Sequence, residues 1–430
     1  MKPETPERLD ERARRVLMTN DRGGYTVPTD GLYPYQWNWD SAFAAWGFAR
    51  FDPGRAWREL ESLLAGQWEN GMVPHILFHK ADPGYFPGPD VWGCEGPVPS
   101  SGISQPPVAS TFARAIYEAD PAAGAGPMSR IWRKLEAWHR WFMRWRSDEA
   151  GAICVTHPWE SGRDNAPDWD SAMARIDPRG VGAYRRRDTA HVDPHMRPTK
   201  DDYDRYIWLV QLGRRLHWDE AAMRAENPFR VADPTMTFTL MRSCRDLAAT
   251  GDALGFDTGE VREWIARLEQ GARSLWNAQL NSYDALDVHD TSGAGWAQSV
   301  SNASFLCWYG GIDDERMLAQ FDRVCAAVPF GVPSHDPHSA RFDAKRYWRG
   351  PVWAMLNALV GIGLAGAGRI ERARKLRRMT ADLIAGGGFA EYFDPLDGAP
   401  AGGSVFTWTA AVWLAWASDS AGEGLWDRSN

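Results

Sequence analysis

The stretch that decides the fold is YPYQWNWDSAFAAWGFA at residues 33–49, together with residues 53–66 that follow it. After a polar, aromatic entrance the first part is apolar on nearly every side, which predicts a buried helix. The second part follows Asp52 and Pro53 and is apolar on one face only, which predicts an outer amphipathic helix. The pair predicts a helical hairpin with one helix inside and one half exposed.

Helical periodicity returns along most of the chain, while strand-type alternation of apolar and polar residues is almost absent. Helices that are apolar all round alternate with amphipathic ones, as in two concentric rings. We therefore predict an all-α chain, one α/α toroid over residues 1–430, with its site built from the loops that enter the inner helices. Further helices are predicted at 8–18, 107–119, 128–147, 201–218, 234–250, 258–279, 314–327, 351–366, 369–385 and 406–418.

Two long segments lack this periodicity. Residues 67–105 are rich in Gly and Pro and are predicted to be loop. Residues 148–200 are too polar and too rich in Pro for core, and long loops in compact domains are often functional. We expect 148–200 to form a lid and active-site loop region within the single domain.

The charge balance argues against two kinds of partner. The net charge is −8, with no basic tail or stripe, so neither nucleic acid nor an anionic membrane is expected to bind. No apolar run reaches the roughly 18 residues of a membrane span.

The cysteines and the N-terminal residues indicate a cytoplasmic location. The five cysteines are scattered and never spaced C-x-x-C, so buried free thiols are expected rather than disulfides or a metal site. The first residues, MKPETPE, are not followed by an apolar core, so no secretion signal is expected.

Residues 157–170, HPWESGRDNAPDWD, concentrate acidic and aromatic residues on irregular backbone. Like-charge neighbours and burial both raise a carboxyl pKa, as a general acid requires. The alternative is a solvated acidic turn, but solvated turns rarely carry two Trp. The four acids of the stretch are Glu160, Asp164, Asp168 and Asp170.

Two other loops resemble this one. Asp40 follows Trp37 and Trp39, and Glu391 lies between a triple glycine and a Pro turn. The segment RYWRGPVW at 346–353 adds aromatic residues at a helix start, although these could serve packing and Glu391 could be a surface helix cap. In a toroid such loops converge on one pocket. Two carboxylates between Trp walls are suited to cleaving a glycosidic bond, and the 24 Trp also favour a sugar ligand.

Two other motifs carry less weight. GIGLAG at 361–366 matches the dinucleotide fingerprint, but a helical run precedes it where a strand is required. His75/His79 and His191/His195 have the spacing of zinc ligands on a helix, yet no Glu lies between the first pair and Pro194 interrupts the second. We therefore expect no cofactor and no metal.

Taken together, the motifs resemble glycoside hydrolase family 63, and more closely its small bacterial branch of mannosylglycerate and glucosylglycerate hydrolases. They occur in the family's order over nearly the whole chain. The motifs are Y-P-x-Q-W-x-W-D-S from Tyr33, S-Q-P-P-V from Ser104, H-P-W-E-S-G-R-D-N from His157, Y-W-R-G-P-V-W from Tyr347, and E-Y-F-D-P from Glu391.

The resemblance implies an (α/α)6 six-hairpin toroid that inverts the anomeric centre. It implies Asp164 as general acid and Glu391 as the base that activates water, with the two carboxyls roughly 6.5–9.5 Å apart. It also implies substrate-binding roles. For the sugar these fall to Trp37, Asp40, Trp159, Trp348 and Trp353, and for the aglycone to Tyr33, Tyr85, Gln105, Arg197 and Tyr203, while Tyr347 is a further substrate-binding residue.

Within this set, Arg197 and Tyr203 resemble the pair that grips the glycerate carboxylate, since a guanidinium matches a carboxylate in two parallel bonds. The alternative for Arg197 is a salt bridge to Asp201 or Asp202. Larger family members carry an added β-rich domain for which this chain has no room, which favours a small disaccharide-like substrate.

The sequence thus predicts an inverting hydrolase of 2-O-α-glycosyl glycerate, with a slight preference for glucosyl over mannosyl from similarity over 157–206. One alternative is an α-glucosidase or trehalase-like enzyme acting on neutral disaccharides. Others are a sugar isomerase or epimerase, which would need pocket histidines such as His191 and His195, and a non-catalytic sugar-binding protein. A homo-oligomer, either a dimer or a tetramer, is left open.

Overall fold

The computed structural model describes residues 6–421. The expectation for the first residues of the chain and the side chain of His191 lie outside the described part. Its α-helices are, in chain order, α1 (Pro6–Asn20), α2 (Asn38–Phe48), α3 (Pro53–Ala65), α4 (Pro89–Trp92), α5 (Ala109–Ala119), α6 (Pro121–Trp141), α7 (Asp170–Ala174), α8 (Asp188–His191), α9 (Lys200–Arg215), α10 (Glu220–Glu226), α11 (Pro234–Leu254), α12 (Gly259–Ser274), α13 (Arg316–Ala326), α14 (Ala354–Gly366), α15 (Ile370–Gly387) and α16 (Thr407–Val412).

Strands are short and serve to tie loops together. Each has two residues: β1 (Gln36–Trp37), β2 (Ile76–Leu77), β3 (Cys154–Val155), β4 (Val231–Ala232), β5 (Trp276–Asn277), β6 (Ser282–Tyr283), β7 (Leu286–Asp287), β8 (Tyr392–Phe393) and β9 (Pro400–Ala401). All pairs are antiparallel: β1 with β2, β5 with β6, β8 with β9, and β4 between β3 and β7.

The inner helices form a closed ring. In order around it they are α2, α5, α11, the 3-10 turn Ser304–Cys307, α14 and α16, each in contact with the next, and α16 closes the ring against α2. Every residue of α2 is buried, as expected for a helix that is apolar all round.

The outer helices pack against this ring in the predicted alternation. α1 contacts α16, α3 contacts α2, α6 contacts α5, α12 contacts α11, and α15 contacts α14. α13 occupies the remaining outer position beside the Ser304–Cys307 turn, where Phe321 packs against Phe305. Six inner and six outer positions within residues 6–421 confirm the (α/α)6 toroid.

Several predicted boundaries were wrong for local reasons. The helix expected at 128–147 begins at Pro121, since the Asp120 side chain accepts from Ala123 N–H and caps it. The fourth inner position holds only a 3-10 turn, which is too short to show a helical period in the sequence. The short helices α4, α7, α8 and α10 were not predicted.

The expectation that all of 148–200 lies outside the core was also wrong. Residues 152–169 are nearly all buried, while most of 177–199 is exposed or half-buried. Charged side chains such as Glu160, Arg163 and Asp168 tolerate burial here because they form ion pairs. No helix in the described residues is both long and apolar enough to cross a membrane.

Candidate active site

A cavity with about 900 Å³ of empty space, counting its open mouth, lies at the end of the ring where the loops enter the inner helices. Its concave shape and its mixture of aromatic and polar lining side chains are typical of a ligand site. It is lined by twelve of the thirteen residues singled out from the sequence: Tyr33, Trp37, Asp40, Tyr85, Gln105, Trp159, Asp164, Arg197, Tyr203, Tyr347, Trp348 and Glu391.

Trp353 is the exception and does not line the cavity. Its ring stacks on Trp348 with the centroids 3.8 Å apart and the planes 4° from parallel. Its indole N–H donates to the Tyr347 carbonyl at 3.2 Å. Because it lies one layer behind, Trp353 supports the wall that Trp348 forms.

Asp164 reaches the cavity because its neighbours are anchored elsewhere. Gly162, with φ +69°, ends the 3-10 turn Pro158–Ser161 in the left-handed region that glycine adopts freely. Arg163 points into the protein and pairs with Asp168 and Asp233, both at 3.1 Å. The backbone turn at Gly162 and Arg163 leaves the Asp164 side chain facing the cavity.

The environment of Asp164 favours its protonated form. Burial raises the pKa of this carboxyl to about 8, and the negative charge of Glu391 adds to the rise, while Arg197 opposes it. Among the described residues no side chain forms a hydrogen bond with the carboxyl. Asp164 therefore carries a proton near neutral pH and presents it to the cavity, as a general acid requires.

The Glu391 carboxyl, in contrast to that of Asp164, is surrounded by hydrogen-bond donors. One oxygen accepts from the hydroxyls of Tyr33 at 3.1 Å and Tyr347 at 3.2 Å. The other accepts from the Arg197 guanidinium at 2.8 Å and from Gly403 N–H at 3.0 Å. Burial raises the pKa of the Tyr33 phenol, so that phenol remains a donor. These contacts match an ionised carboxylate, the form that a general base needs.

The other three acids of 157–170 are structural. Glu160 is buried against Arg146 at 3.0 Å, Asp168 pairs with Arg163, and Asp170 pairs with Arg349 at 2.7 Å. Only Asp164 among the four lines the cavity. The crowding of acids in this stretch therefore reflects ion pairs that hold the loop as well as the site itself.

Asp40 lies at the start of α2 and is 3% exposed. Burial raises the pKa of this carboxyl well above its usual range, and its Oδ1 has no hydrogen-bond partner in the described protein. The indole N–H of Trp348 is likewise buried and unpartnered. Unpaired buried polar groups in a cavity are costly unless a ligand or water satisfies them.

Comparison with known proteins agrees with this geometry. The family model for the mannosylglycerate hydrolase MGH1-like glycoside hydrolase domain matches residues 33–409. The chain belongs to this family. It is therefore a glycoside hydrolase, and the resemblance to the glycosylglycerate branch of family 63 is confirmed.

Three relatives cover almost the whole chain. Mannosylglycerate hydrolase MGH1 of Selaginella moellendorffii is 42% identical over 94% of this chain and 85% of its own length. Glucosylglycerate hydrolase of Mycolicibacterium hassiacum is 35% identical over 96% and 98%. The crystal structure of the family 63 mannosylglycerate hydrolase of Thermus thermophilus, in complex with Tris and D-glycerate, has a TM-score of 0.90 at 42% identity, covering 94% and 99%.

Several cavity residues of this family member were missed from the sequence: Trp39, His75, Gly162, Arg187, Asp188, Phe406 and Trp408. Trp39 and Trp408 stood in quoted motifs beside chosen residues, so that signal was present. His75 was weighed only as a metal ligand. Burial lowers the pKa of its imidazole well below its usual range, and no group of three or more candidate metal ligands occurs in residues 6–421.

Two loops meet over one side of the cavity. Tyr184 stacks on Phe86 with centroids 4.7 Å apart, and Arg187 pairs with Asp82 at 2.9 Å. Arg187 also lies over the Tyr85 ring, 5.7 Å from its centroid. These contacts join residues 80–87 to residues 184–188, which no local sequence pattern could reveal.

The alternative prediction, that Arg197 forms a salt bridge with Asp201 or Asp202, was wrong. Asp201 pairs with Arg205, and Asp202 caps α9 through Thr199. Arg197 instead pairs with Glu391 and donates to the Tyr33 hydroxyl at 3.0 Å. Its Nε is buried without a hydrogen-bond partner in the described protein.

Proposed function

We propose that this enzyme hydrolyses 2-O-α-glycosyl-D-glycerate to hexose and glycerate with inversion at the anomeric carbon. The observation that carries the proposal is the pairing in one cavity of a carboxyl held protonated, Asp164, with a carboxylate surrounded by donors, Glu391. Support for the substrate comes from the relatives, whose names give mannosylglycerate and glucosylglycerate, and from the Thermus structure, which holds D-glycerate.

In the proposed reaction Asp164 gives its proton to the glycosidic oxygen as the bond from that oxygen to the anomeric carbon breaks. Glu391 takes a proton from a water molecule whose oxygen bonds to the same carbon from the opposite face. The products are glycerate with its hydroxyl restored and a hexose of inverted configuration. Such a reaction needs the carboxyls roughly 6.5–9.5 Å apart, with room for the water.

The sugar is proposed to bind among Trp37, Asp40, Trp159 and Trp348. Its hydroxyls would satisfy the unpaired Asp40 Oδ1 and Trp348 indole N–H, and the Trp rings would pack on its apolar faces. Gln105 accepts from Trp39 N–H at 3.2 Å through its carbonyl oxygen, which leaves its amide group for the ligand.

The glycerate is proposed to bind towards Tyr33, Tyr85, Arg197 and Tyr203. The unpaired Arg197 Nε is a charged donor on this side, and Arg187 brings a second guanidinium to the cavity wall. Arg197 pairs with Glu391 and Arg187 pairs with Asp82, so an anionic aglycone would be recognised through the donors that these pairs leave free, such as Arg197 Nε.

A substrate screen tests the proposal. We expect kcat/KM for glucosylglycerate and mannosylglycerate to exceed that for trehalose and other neutral α-glucosides by ~100-fold or more, about the scale of one buried charge-assisted pair. The slight expectation of a glucosyl preference stays a prediction that the same screen decides. Asp164→Ala and Glu391→Ala serve as controls and should each lose ~100-fold or more in kcat.

Other results would identify the alternatives. Faster cleavage of neutral disaccharides would establish the trehalase-like enzyme. An epimerised sugar with the glycosidic bond intact would establish an isomerase. Near-normal turnover by Asp164→Ala or Glu391→Ala would remove that residue from the mechanism.

We further propose that the enzyme acts in the cytoplasm. The five cysteines are all free, which suits a reducing compartment. The sequence leaves open a dimer or a tetramer, and light scattering on the purified protein would give the state directly.

A further inference from the structure

One short segment, Tyr347–Arg349, forms hydrogen bonds both to Glu391 and to the residue that follows Asp164. The Tyr347 hydroxyl donates to Glu391 Oε1 at 3.2 Å. The next N–H along the chain, that of Trp348, donates to the side-chain oxygen of Asn165 at 3.0 Å. Asn165 directly follows Asp164. A path of two adjacent residues therefore connects the proposed base to the backbone of the proposed acid.

The backbone of this segment is held in an unfavourable conformation. Tyr347 has φ +39°, in the left-handed region that side chains other than glycine rarely adopt. Such residues persist where the surroundings over-determine them, often at functional sites. Here the turn allows the Tyr347 side chain and the Trp348 N–H to reach different partners.

The buried Asn165 side chain uses only its oxygen for hydrogen bonding within the described residues. It is 4% exposed, and its Nδ2 has no hydrogen-bond partner in the described protein. Its one side-chain hydrogen bond is the bond that Oδ1 accepts from Trp348, and its carbonyl accepts from the Arg349 guanidinium at 3.2 Å. Burying an unpaired amide donor costs stability, so packing alone would favour an apolar residue here.

Asp164 depends on such backbone anchors because no side chain in the described residues bonds its carboxyl. Its carbonyl accepts from the Tyr206 hydroxyl at 2.9 Å. The next residue, Asn165, is fixed by the bond that its side-chain oxygen accepts from Trp348 N–H. Tyr206 fixes the loop to α9, whereas Asn165 fixes it to the segment that contacts Glu391.

We propose that Asn165 is a positioning residue for the reaction: its carboxamide oxygen ties the backbone beside Asp164 to the Tyr347–Arg349 segment and so sets the separation of the acid from Glu391. The inference rests on the proposed role of Asp164. Displacing a catalytic group by about 1 Å can cost ~100-fold in rate, so losing the hydrogen bond that positions the acid is expected to lower kcat.

The role predicts an effect that depends on the leaving group. Without the proton of the acid, glycerate would have to leave as a strongly basic alkoxide, whereas fluoride is a weak base that leaves with little protonation. A displaced acid therefore slows glycosylglycerate and spares an α-glycosyl fluoride. A general loss of structure would slow both.

The test compares Asn165→Ala with a matched control, Asn357→Ala. Asn357 lies in α14 away from the cavity, and its side-chain oxygen also accepts from a loop N–H, that of Val332, at 3.0 Å. Steady-state rates are measured on glycosylglycerate and on the α-fluoride of the same hexose, with Asp164→Ala as reference. For Asn165→Ala we expect kcat on glycosylglycerate to fall ~10-fold or more, with KM and the fluoride rate within ~3-fold of wild type.

Equal losses on both substrates, or a glycosylglycerate rate matching that of the Asn357→Ala control, would overturn the inference. If Asp164→Ala itself shows no dependence on the leaving group, the assignment of the acid fails instead, and the two failures are thereby distinguished. Should Asn165→Ala not fold, Asn165→Ser is used with the same criteria, since its hydroxyl is too short to reach the Trp348 N–H.

Discussion

Asp164 and Glu391 carry the same functional group and line the same cavity, yet their neighbours differ. Asp164 is desolvated without a hydrogen-bonding side chain among the described residues, whereas Glu391 accepts from an arginine, two tyrosines and a backbone N–H. Desolvation favours the neutral carboxyl, and donors favour the charged one. In the proposed mechanism, environment therefore divides the roles of acid and base between two chemically similar residues.

The raised pKa of Asp164 predicts a pH dependence of activity. The acid must be protonated, so kcat/KM should fall as pH rises through about 8, the pKa that burial gives this group. Asp164→Asn should lose ~100-fold or more in kcat and should lack this alkaline limb. A pH profile of kcat/KM for both proteins is the measurement.

The same substitution should stabilise the fold. In the folded state the raised pKa keeps Asp164 protonated between about 4 and 8, where the unfolded chain has released the proton, so wild-type stability falls across this window. Asn cannot ionise. The gain in Tm of Asp164→Asn over wild type should therefore grow from pH 4 to pH 8, and a gain that is constant with pH would contradict the assignment.

At the scale of elements, the turn 158–163 decides where Asp164 points. A Cβ at Gly162 would lie 2.6 Å from the Trp39 ring, and φ is +69°. Gly162→Ala should displace Trp39, a wall of the cavity, and lower kcat/KM ~10-fold or more. Gly180→Ala is the matched control, since φ there is +89° but no atom of the described residues lies within 4 Å of the added carbon.

Both alanine variants carry the cost of a left-handed backbone, so their difference isolates the collision with Trp39. We expect Gly180→Ala to keep kcat/KM within ~2-fold of wild type. Equal activity of the two variants would show that the position of Trp39 does not depend on Gly162.

Elements also show what local sequence could and could not predict for the site. The loops that combine acidic residues with Trp could be recognised in the sequence, and each supplies a residue to the cavity. Arg187 and Asp82 could not be joined by any local pattern, because they meet only when two distant loops cover the cavity. Glu160, Asp168 and Asp170 crowd around Asp164 in the sequence but form ion pairs in the structure, because ion-paired loops and active sites share the same residue types.

At the scale of the whole molecule, ring closure depends on close contact between α2, α16 and α1. A Cβ at Gly47 would lie 2.7 Å from the Ala411 Cβ and 3.0 Å from Leu17. Gly47→Val should therefore overpack this junction and cost about 1–3 kcal/mol of stability, seen as a lower Tm. The control is Gly126→Val on α6, where the nearest atom, from Arg130, is 3.7 Å away. A Tm for Gly47→Val no lower than that of the control would contradict tight closure.

The toroid was predictable because its rings differ in pattern over whole helices. α2 and α14 are apolar on all sides, and α3 and α13 are amphipathic, so the alternation survives errors at single boundaries. The fourth inner position was not predictable, since the turn Ser304–Cys307 is too short to show a period. Its place follows only from the closure of the ring.

In the proposed mechanism Asp164 and Glu391 act on opposite faces of the sugar, with water between Glu391 and the anomeric carbon. Proton NMR of the first turnovers on an α-glycosylglycerate tests this most directly, because the hexose anomer is seen before mutarotation. We predict that the β-anomer of the hexose appears first. Initial release of the α-anomer would contradict the claim.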